Sequence, residues 1–306
     1  AAPIFGANPD GSPKVWSRVG LHVDPAVDLR GYANCGTEHR PNLANSAPLL
    51  ADLDGDGRLE AVVIGNVYNC AASPYLDLYE MPFILTADRT RFTPWETLPP
   101  PPAGAAPLSE DYNRIESNAP NPVAADLDGD GQLEILFPSY DGRLHAYWLD
   151  RTQHGAWPVA VTQPGEGVIR FATEPVVADL DGDGQAEVLF ASWTEKGRGV
   201  GGRLHLVSAL GAPIWTVDLP PAKDGGPNGV LAAPTLANID ADPAPEIILQ
   251  SIAGGVLVYD LPALGAGRLL WPTGRGSFQR NAAPPLPRLD LPPRAYLPLA
   301  PQATRR

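Results

Sequence analysis

Apolar residues along this chain fall in short runs between turn residues rather than in helical stripes. "AVVIG" at 61–65, "EILF" at 134–137, "EVLF" at 187–190 and "EIIL" at 246–249 are strand-sized and rich in β-branched residues. That pattern predicts half-buried and buried strands. No run approaches the ~18 apolar residues of a membrane helix. The 306 residues include 36 Pro and 31 Gly, which interrupt helices and serve turns. The pattern and the composition together predict an all-β protein, long enough to bury a sizeable core.

The runs are ordered into a repeat. "ADLDGDG" stands at 51–57, 125–131 and 178–184, and "ANIDADP" at 237–243. Before each copy comes a Pro and a small apolar run ("APLL", "NPVA", "EPVV", "APTL"). After each copy comes an apolar strand, then a second one ("LDLYEM", "RLHAYWLD", "RLHLVSAL", "VLVYDLPA"), then a segment with a Trp: Trp95, Trp157, Trp215 and Trp271. Each unit therefore predicts four short antiparallel strands. A four-stranded unit recurring every ~40–60 residues suggests a blade of a β-propeller, since one unit cannot bury both its faces alone. The expected organisation is an N-terminal extension with a closure strand (1–45), a propeller of four recognisable repeats (46–280) and a Pro-rich extended tail (281–306). "KVWSRVGLHVD" at 14–24 would close the last blade or, with the other chain end, found a fifth. The Pro-rich stretch 97–120 is expected as a loop between the first two units.

The heptapeptide places carboxylates at alternate positions of a tight loop. Calcium takes 6–8 hard oxygen ligands, and such a loop supplies them at positions 1, 3 and 5, with a backbone carbonyl at 7 and a carboxylate at 9. The first loop would use Asp52, Asp54, Asp56, the carbonyl of Arg58, and Glu60. The second would use Asp126, Asp128, Asp130, the carbonyl of Gln132, and Glu134. The third would use Asp179, Asp181, Asp183, the carbonyl of Gln185, and Glu187. The fourth keeps oxygen in Asn238, Asp240, Asp242 and Glu246, but has Ala241 and Pro243 where the others have Gly. The plain alternative is a solvated turn whose Asp side chains cap backbone N–H groups. Against it, acids this close repel one another unless a cation lies among them. An EF-hand is excluded, because its position-12 Glu is replaced by Val63 in an apolar run.

With its following strand, "ADLDGDGxLE" resembles the FG-GAP (VCBS-type) repeat, the calcium-loop blade of integrin α-subunits and many bacterial surface proteins. The resemblance covers roughly residues 46–275. It implies a propeller with calcium held in the loops joining the first two strands of each blade, and it implies no activity.

Charge and cysteine content narrow the setting. The net charge is −13 without any cluster of Lys and Arg, which argues against a nucleic-acid partner. The chain opens "AAPIFGANPD", as the mature side of a small-residue signal-peptidase site would, so export is expected. Cys35 and Cys70 would then form a disulfide; two buried thiols are the alternative.

Catalytic signatures are sparse. His145 and His205 both lie in "GRLH" at equivalent repeat positions, which favours structural roles. No G-x-S-x-G elbow occurs, and the glycines of 197–203 are not followed by a helical pattern. A non-catalytic protein is expected: a secreted, calcium-binding structural or adhesive propeller, meeting a cell-surface or matrix component or assembling with itself, even into filaments, through its extended ends. A carbohydrate-binding propeller is the alternative, with Trp16, Trp193 and Tyr140 as exposed aromatics; a polysaccharide-active enzyme comes third.

Overall fold

A computed structural model describes residues 4–7, 13–15, 46–68, 78–88, 90–109, 119–195, 199–221, 228–240, 244–261 and 268–277. Among these there is no helix, and all paired strands are antiparallel. Cys35, Cys70, Trp16 and the tail 281–306, and with them the disulfide and strap expectations, lie outside the described residues.

Near the N-terminus β1 (Ile4–Ala7) pairs with β2 (Pro13–Val15) in a two-stranded sheet, and the rest of 14–24 lies outside the described residues. The first repeat builds a three-stranded sheet, β3 (Leu49–Ala51), β4 (Glu60–Tyr68) and β5 (Leu78–Leu85). The second builds β6 (Val123–Ala125), β7 (Glu134–Ser139), β8 (Arg143–Tyr147) and β9 (Val159–Ala160), paired in that order. After a short β10 (Arg170–Ala172) the third builds β11 (Val176–Asp179), β12 (Glu187–Thr194), β13 (Arg203–Val207) and β14 (Pro213–Asp218). The far end of β12 also takes up β10 and β15 (Asn228–Gly229). The fourth repeat builds β16 (Thr235–Ala237), β17 (Glu246–Ser251) and β18 (Gly255–Asp260).

Two expectations about fourth strands change. In the first repeat the Trp95 segment is a run of turns, touching the sheet through a single bridge from Leu85 to Arg91. In the fourth, β19 (Arg268–Trp271) does not join β18; it pairs with β11, the first strand of the third repeat, at Val177↔Trp271 and Ala178↔Leu269. Burial explains both. Trp95 and Trp271 are fully buried, and each segment goes where its indole can leave water rather than where the ladder would continue.

Alternation along the strands divides most of the described interior between two large cores. On β12, Val188 and Phe190 face a core shared with the first two repeats, while Leu189 and Ala191 face a core shared with the fourth. Strands β11, β12 and β13 are thus buried on both faces, while β14 is largely exposed. Indoles bolt neighbouring repeats together. Trp95 Nε1 donates to the Leu149 carbonyl of the second repeat at 3.0 Å, and Trp157 Nε1 donates to the Ala209 carbonyl of the third at 2.8 Å.

Trp215, grouped by sequence with the packing tryptophans, is only partly buried on strand β14. Trp193 and Tyr140, expected as exposed aromatics, are each 4% exposed. They cluster with Phe171, whose ring centroid lies 4.6 Å from that of Trp193. The alternation that puts Trp193 opposite Phe171 on β10 turns both rings inward.

Candidate metal centres

All four acidic loops are hairpin connections between the first two strands of a repeat, and all close on the same pair: Ala51↔Glu60, Ala125↔Glu134, Ala178↔Glu187 and Ala237↔Glu246. The small Ala lets the Glu side chain turn back under the loop. Its Oε2 accepts the amide of the residue at position 2: Leu53 at 3.0 Å, Leu127 at 2.7 Å, Leu180 at 2.8 Å and Ile239 at 2.6 Å. Apolar side chains at that position pin three of the loops to the core, with Leu53, Leu127 and Leu180 all buried.

Within each regular loop, one carboxylate oxygen from each of three residues lies within 4.8 Å of the other two: Asp52, Asp54 and Glu60; Asp126, Asp128 and Glu134; Asp179, Asp181 and Glu187. These are loop positions 1, 3 and 9. Position 5 lies outside each group, although, like position 3, it accepts the amide two residues on. Asp56, Asp130 and Asp183 accept the amides of Arg58, Gln132 and Gln185 at 2.7, 2.7 and 2.8 Å, holding the turn that presents the position-7 carbonyls. The signal was in the sequence, since Asp two residues before an amide in a glycine turn favours this local bond.

Burial and crowding within each centre disfavour ionisation of its position-9 Glu. Burial pushes the Glu134 carboxyl up to about 8; Asp128, Asp130 and Asp126 raise it further, and the Leu127 amide opposes them. Glu60 and Glu187 are raised for the same reasons, burial first. Glu134 is fully buried, yet its Oε1 has no hydrogen-bond partner, and Asp52 Oδ1 is likewise buried and unpartnered. A buried carboxylate oxygen without a donor is costly. A hard divalent cation among these oxygens removes both the missing donor and the repulsion, so the residues present fit calcium.

The regular loops are also bonded to each other. The position-8 amide of one loop donates to the position-2 carbonyl of the loop before: Leu133 to Leu53 at 3.0 Å and Ala186 to Leu127 at 2.8 Å. Where the second and third loops meet, Gly129 has φ +82°, and a Cβ there would sit 2.8 Å from the Gly184 carbonyl oxygen. The fourth loop has Pro245 at position 8, which carries no N–H to continue the series.

In the fourth loop the grouped carboxylates are Asp240, Glu246 and Asp260, within 4.8 Å of one another. Asp260, from β18, was not among the sequence-predicted ligands. Asp242 lies outside the described residues, and Asn238 is on the loop beyond β16.

The GRLH histidines are stacked inside the sheets. His145 lies 5.1 Å from the Phe137 ring and bonds Asp141 at 3.0 Å; His205 lies 4.9 Å from the Phe190 ring. Burial holds His205 down at about 4, so it stays neutral near pH 7.

Antiparallel hairpins repeated around carboxylate-lined loops define a β-repeat protein with recurrent candidate metal centres. Residues 126–190, from the second loop into β12, match the FG-GAP-like repeat. No curated protein matches the chain. Among solved structures, the chain is similar to the rhamnogalacturonan lyase YesW, at 17% identity and TM-score 0.43, over 77% of this chain and 40% of that one. It is similar also to the V. cholerae biofilm matrix protein Bap1, at 17% identity and TM-score 0.31, over 77% of this chain and 41% of that one. The exotype rhamnogalacturonan lyase YesX matches at 14% identity and TM-score 0.33, over 89% and 52%. The chain thus spans about two fifths to one half of the length of these proteins.

Proposed function

We propose that this chain is an exported calcium-binding β-propeller whose metal-fixed loops stiffen a non-catalytic structural or adhesive unit. The observation that carries this is the recurrence of one cluster, carboxylates at loop positions 1, 3 and 9, in three successive hairpins. Calcium supplies oxygen-seeking positive charge when bound; the chain's part is to hold the carboxylates together on hairpins whose position-2 residues anchor the loops in the core. Four repeats that share buried faces in chain order support a radial arrangement of blades. Three ions would bring +6 against the net charge of −13, easing self-repulsion as well as fixing the loops. Binding restricted to the folded state stabilises it by roughly 2.7 kcal/mol per site at a hundredfold excess over Kd.

The test is a thermal melt with calcium and again with chelator, alongside an ion count by equilibrium dialysis. A raised midpoint and bound calcium support the reading; identical melts with no bound ion overturn it. Assembly through the ends belongs to the same proposal: light scattering should report particles larger than one chain that shrink when 281–306 is removed, and unchanged mass would sink that part.

A glycan-binding reading is favoured by one feature. A pocket of about 230 Å³ is lined by Asn121, Thr173, Glu174, Trp193, Thr273 and Arg275, among others. Glu174 there accepts the Arg275 amide at 2.6 Å and the Asn121 side chain at 3.2 Å. Mixed donors and acceptors in one pocket suit a polyhydroxylated ligand. Screening a glycan array with the intact chain and with Arg275→Ala tests it: loss of a specific signal in the variant supports a sugar site, and no signal from either excludes it.

A further inference from the structure

The fourth loop departs from the repeat at the positions that shape the turn, with Ala241 and Pro243 replacing glycines. The sheet beside it departs as well. On β17 and β18, Glu246 stands directly opposite Asp260. Continuing the corresponding registers by one residue puts Thr86 opposite Glu60, Trp148 opposite Glu134 and Ser208 opposite Glu187. Only the fourth repeat has an acid at this place. Like charges directly opposite on adjacent strands destabilise a sheet, so the pair needs a compensating group.

The geometry points to a cation. Oxygens of Asp240, Glu246 and Asp260 lie within 4.8 Å of one another. Glu246 is 2% exposed; its Oε2 is taken by the Ile239 amide at 2.6 Å, while its buried Oε1 has no hydrogen-bond partner. A buried carboxylate that has one oxygen without a donor and is grouped with two more carboxylates calls for a hard positive charge.

We propose that the fourth repeat holds a divalent-cation site of different construction, in which Asp260 of β18 supplies a ligand across the sheet in place of a regular loop. Calcium is the ion it suits: three carboxylates on two strands and a loop give the adaptable all-oxygen shell that calcium accepts and the stricter octahedral magnesium ion does not favour. This extends the calcium reading of the three regular loops without depending on it.

The test counts bound calcium per folded chain by equilibrium dialysis against calcium chloride, for the unaltered protein, Asp260→Asn and Asp181→Asn. Asp260→Asn should bind one ion fewer than the unaltered chain; an unchanged count overturns the proposal. If Asp181→Asn binds as many ions as the unaltered chain while Asp260→Asn loses one, the fourth site stands and the reading of the regular loops fails. Melts give a second readout. Removing a like charge with an isosteric amide should raise the melting midpoint in chelator and lower it in calcium, relative to the unaltered chain. A similar loss under both conditions would make Asp260 a structural residue only. Asp240→Asn should reproduce both results.

Discussion

Replacing Trp95 by Phe tests whether neighbouring repeats are fastened by their indoles. Trp95 is fully buried, its Nε1 donates to the Leu149 carbonyl at 3.0 Å, and its ring meets Tyr147 edge-on at 5.8 Å. Phenylalanine preserves an aromatic ring but removes the donor and part of the volume. The lost hydrogen bond is worth about 1 kcal/mol net, and a buried carbonyl left without a donor raises the cost to ~1–3 kcal/mol. The vacated space adds about 1 kcal/mol. The sum is roughly 3 kcal/mol, or about 6–12 °C in melting midpoint for a cooperative unit of this size. Trp215 is the internal control, since it is only partly buried and water can satisfy its N–H; Trp215→Phe should cost less than about 1 kcal/mol. Far-UV circular dichroism suits both variants, because it does not rely on the indole being removed. If Trp95→Phe falls within about 1 kcal/mol of Trp215→Phe, the inter-repeat bond is not holding the repeats together.

Three further outcomes are expected. Trp148 Nε1 donates to Asp128 Oδ2 at 2.8 Å, so calcium entering the second loop should change tryptophan emission, and Trp148→Phe should abolish most of that change; an unaltered calcium response in the variant would refute the link. Gly129→Ala forces a side chain into φ +82° and against the Gly184 carbonyl, whereas Gly131→Ala has φ +90° with open space around it. Both should pay the ~1 kcal/mol of a left-handed backbone, with Gly129→Ala losing at least about 1 kcal/mol more in melts, and equal losses would refute close contact between the loops. Glu80 is buried, its Oε2 accepts the Tyr140 amide at 3.2 Å, and burial raises its carboxyl from the ordinary 4.5 to about 8. The folded state binds this proton more tightly than the unfolded chain, so the stability linked to it is full below pH 4.5 and is lost as pH rises through about 8. Denaturant titrations should find Glu80→Gln gaining on the unaltered protein across that window, by on the order of a few kcal/mol; a constant difference would refute the assignment.

The acidic hairpins were legible because their information is local. A heptapeptide repeated three times fixes the turn, and the Pro and apolar run before it fix the first strand. The closing Ala–Glu pair follows from the same spacing. What escaped the sequence depends on contacts between distant segments. Nothing near residues 268–271 announces that β19 will leave its own repeat for β11; that choice belongs to the burial of Trp271. Asp260 carries no signal of its own in the sequence, and only the register sets it opposite Glu246. The inward turn of Trp193 came from its pairing with Phe171, twenty-two positions away. Pro245 is visible in the sequence, but that position 8 bonds to the preceding loop, where Pro245 leaves the amide missing, emerges only from the structure.

That missing amide sets a boundary in how the centres would feel one another. In the second loop, Glu134 holds the Leu127 amide, the Leu127 carbonyl holds the Ala186 amide, and Ala186 directly precedes Glu187 of the third loop. The same relay runs from Glu60 through Leu53 and Leu133 to Glu134. Under the proposed calcium reading, a carboxylate drawn toward an ion in one loop would pull on peptide groups that position a carboxylate in the next. On that same reading, the first three centres form a hydrogen-bonded series expected to fill and empty in concert. The fourth, cut off at Pro245, would respond to its own calcium level, giving one chain two thresholds.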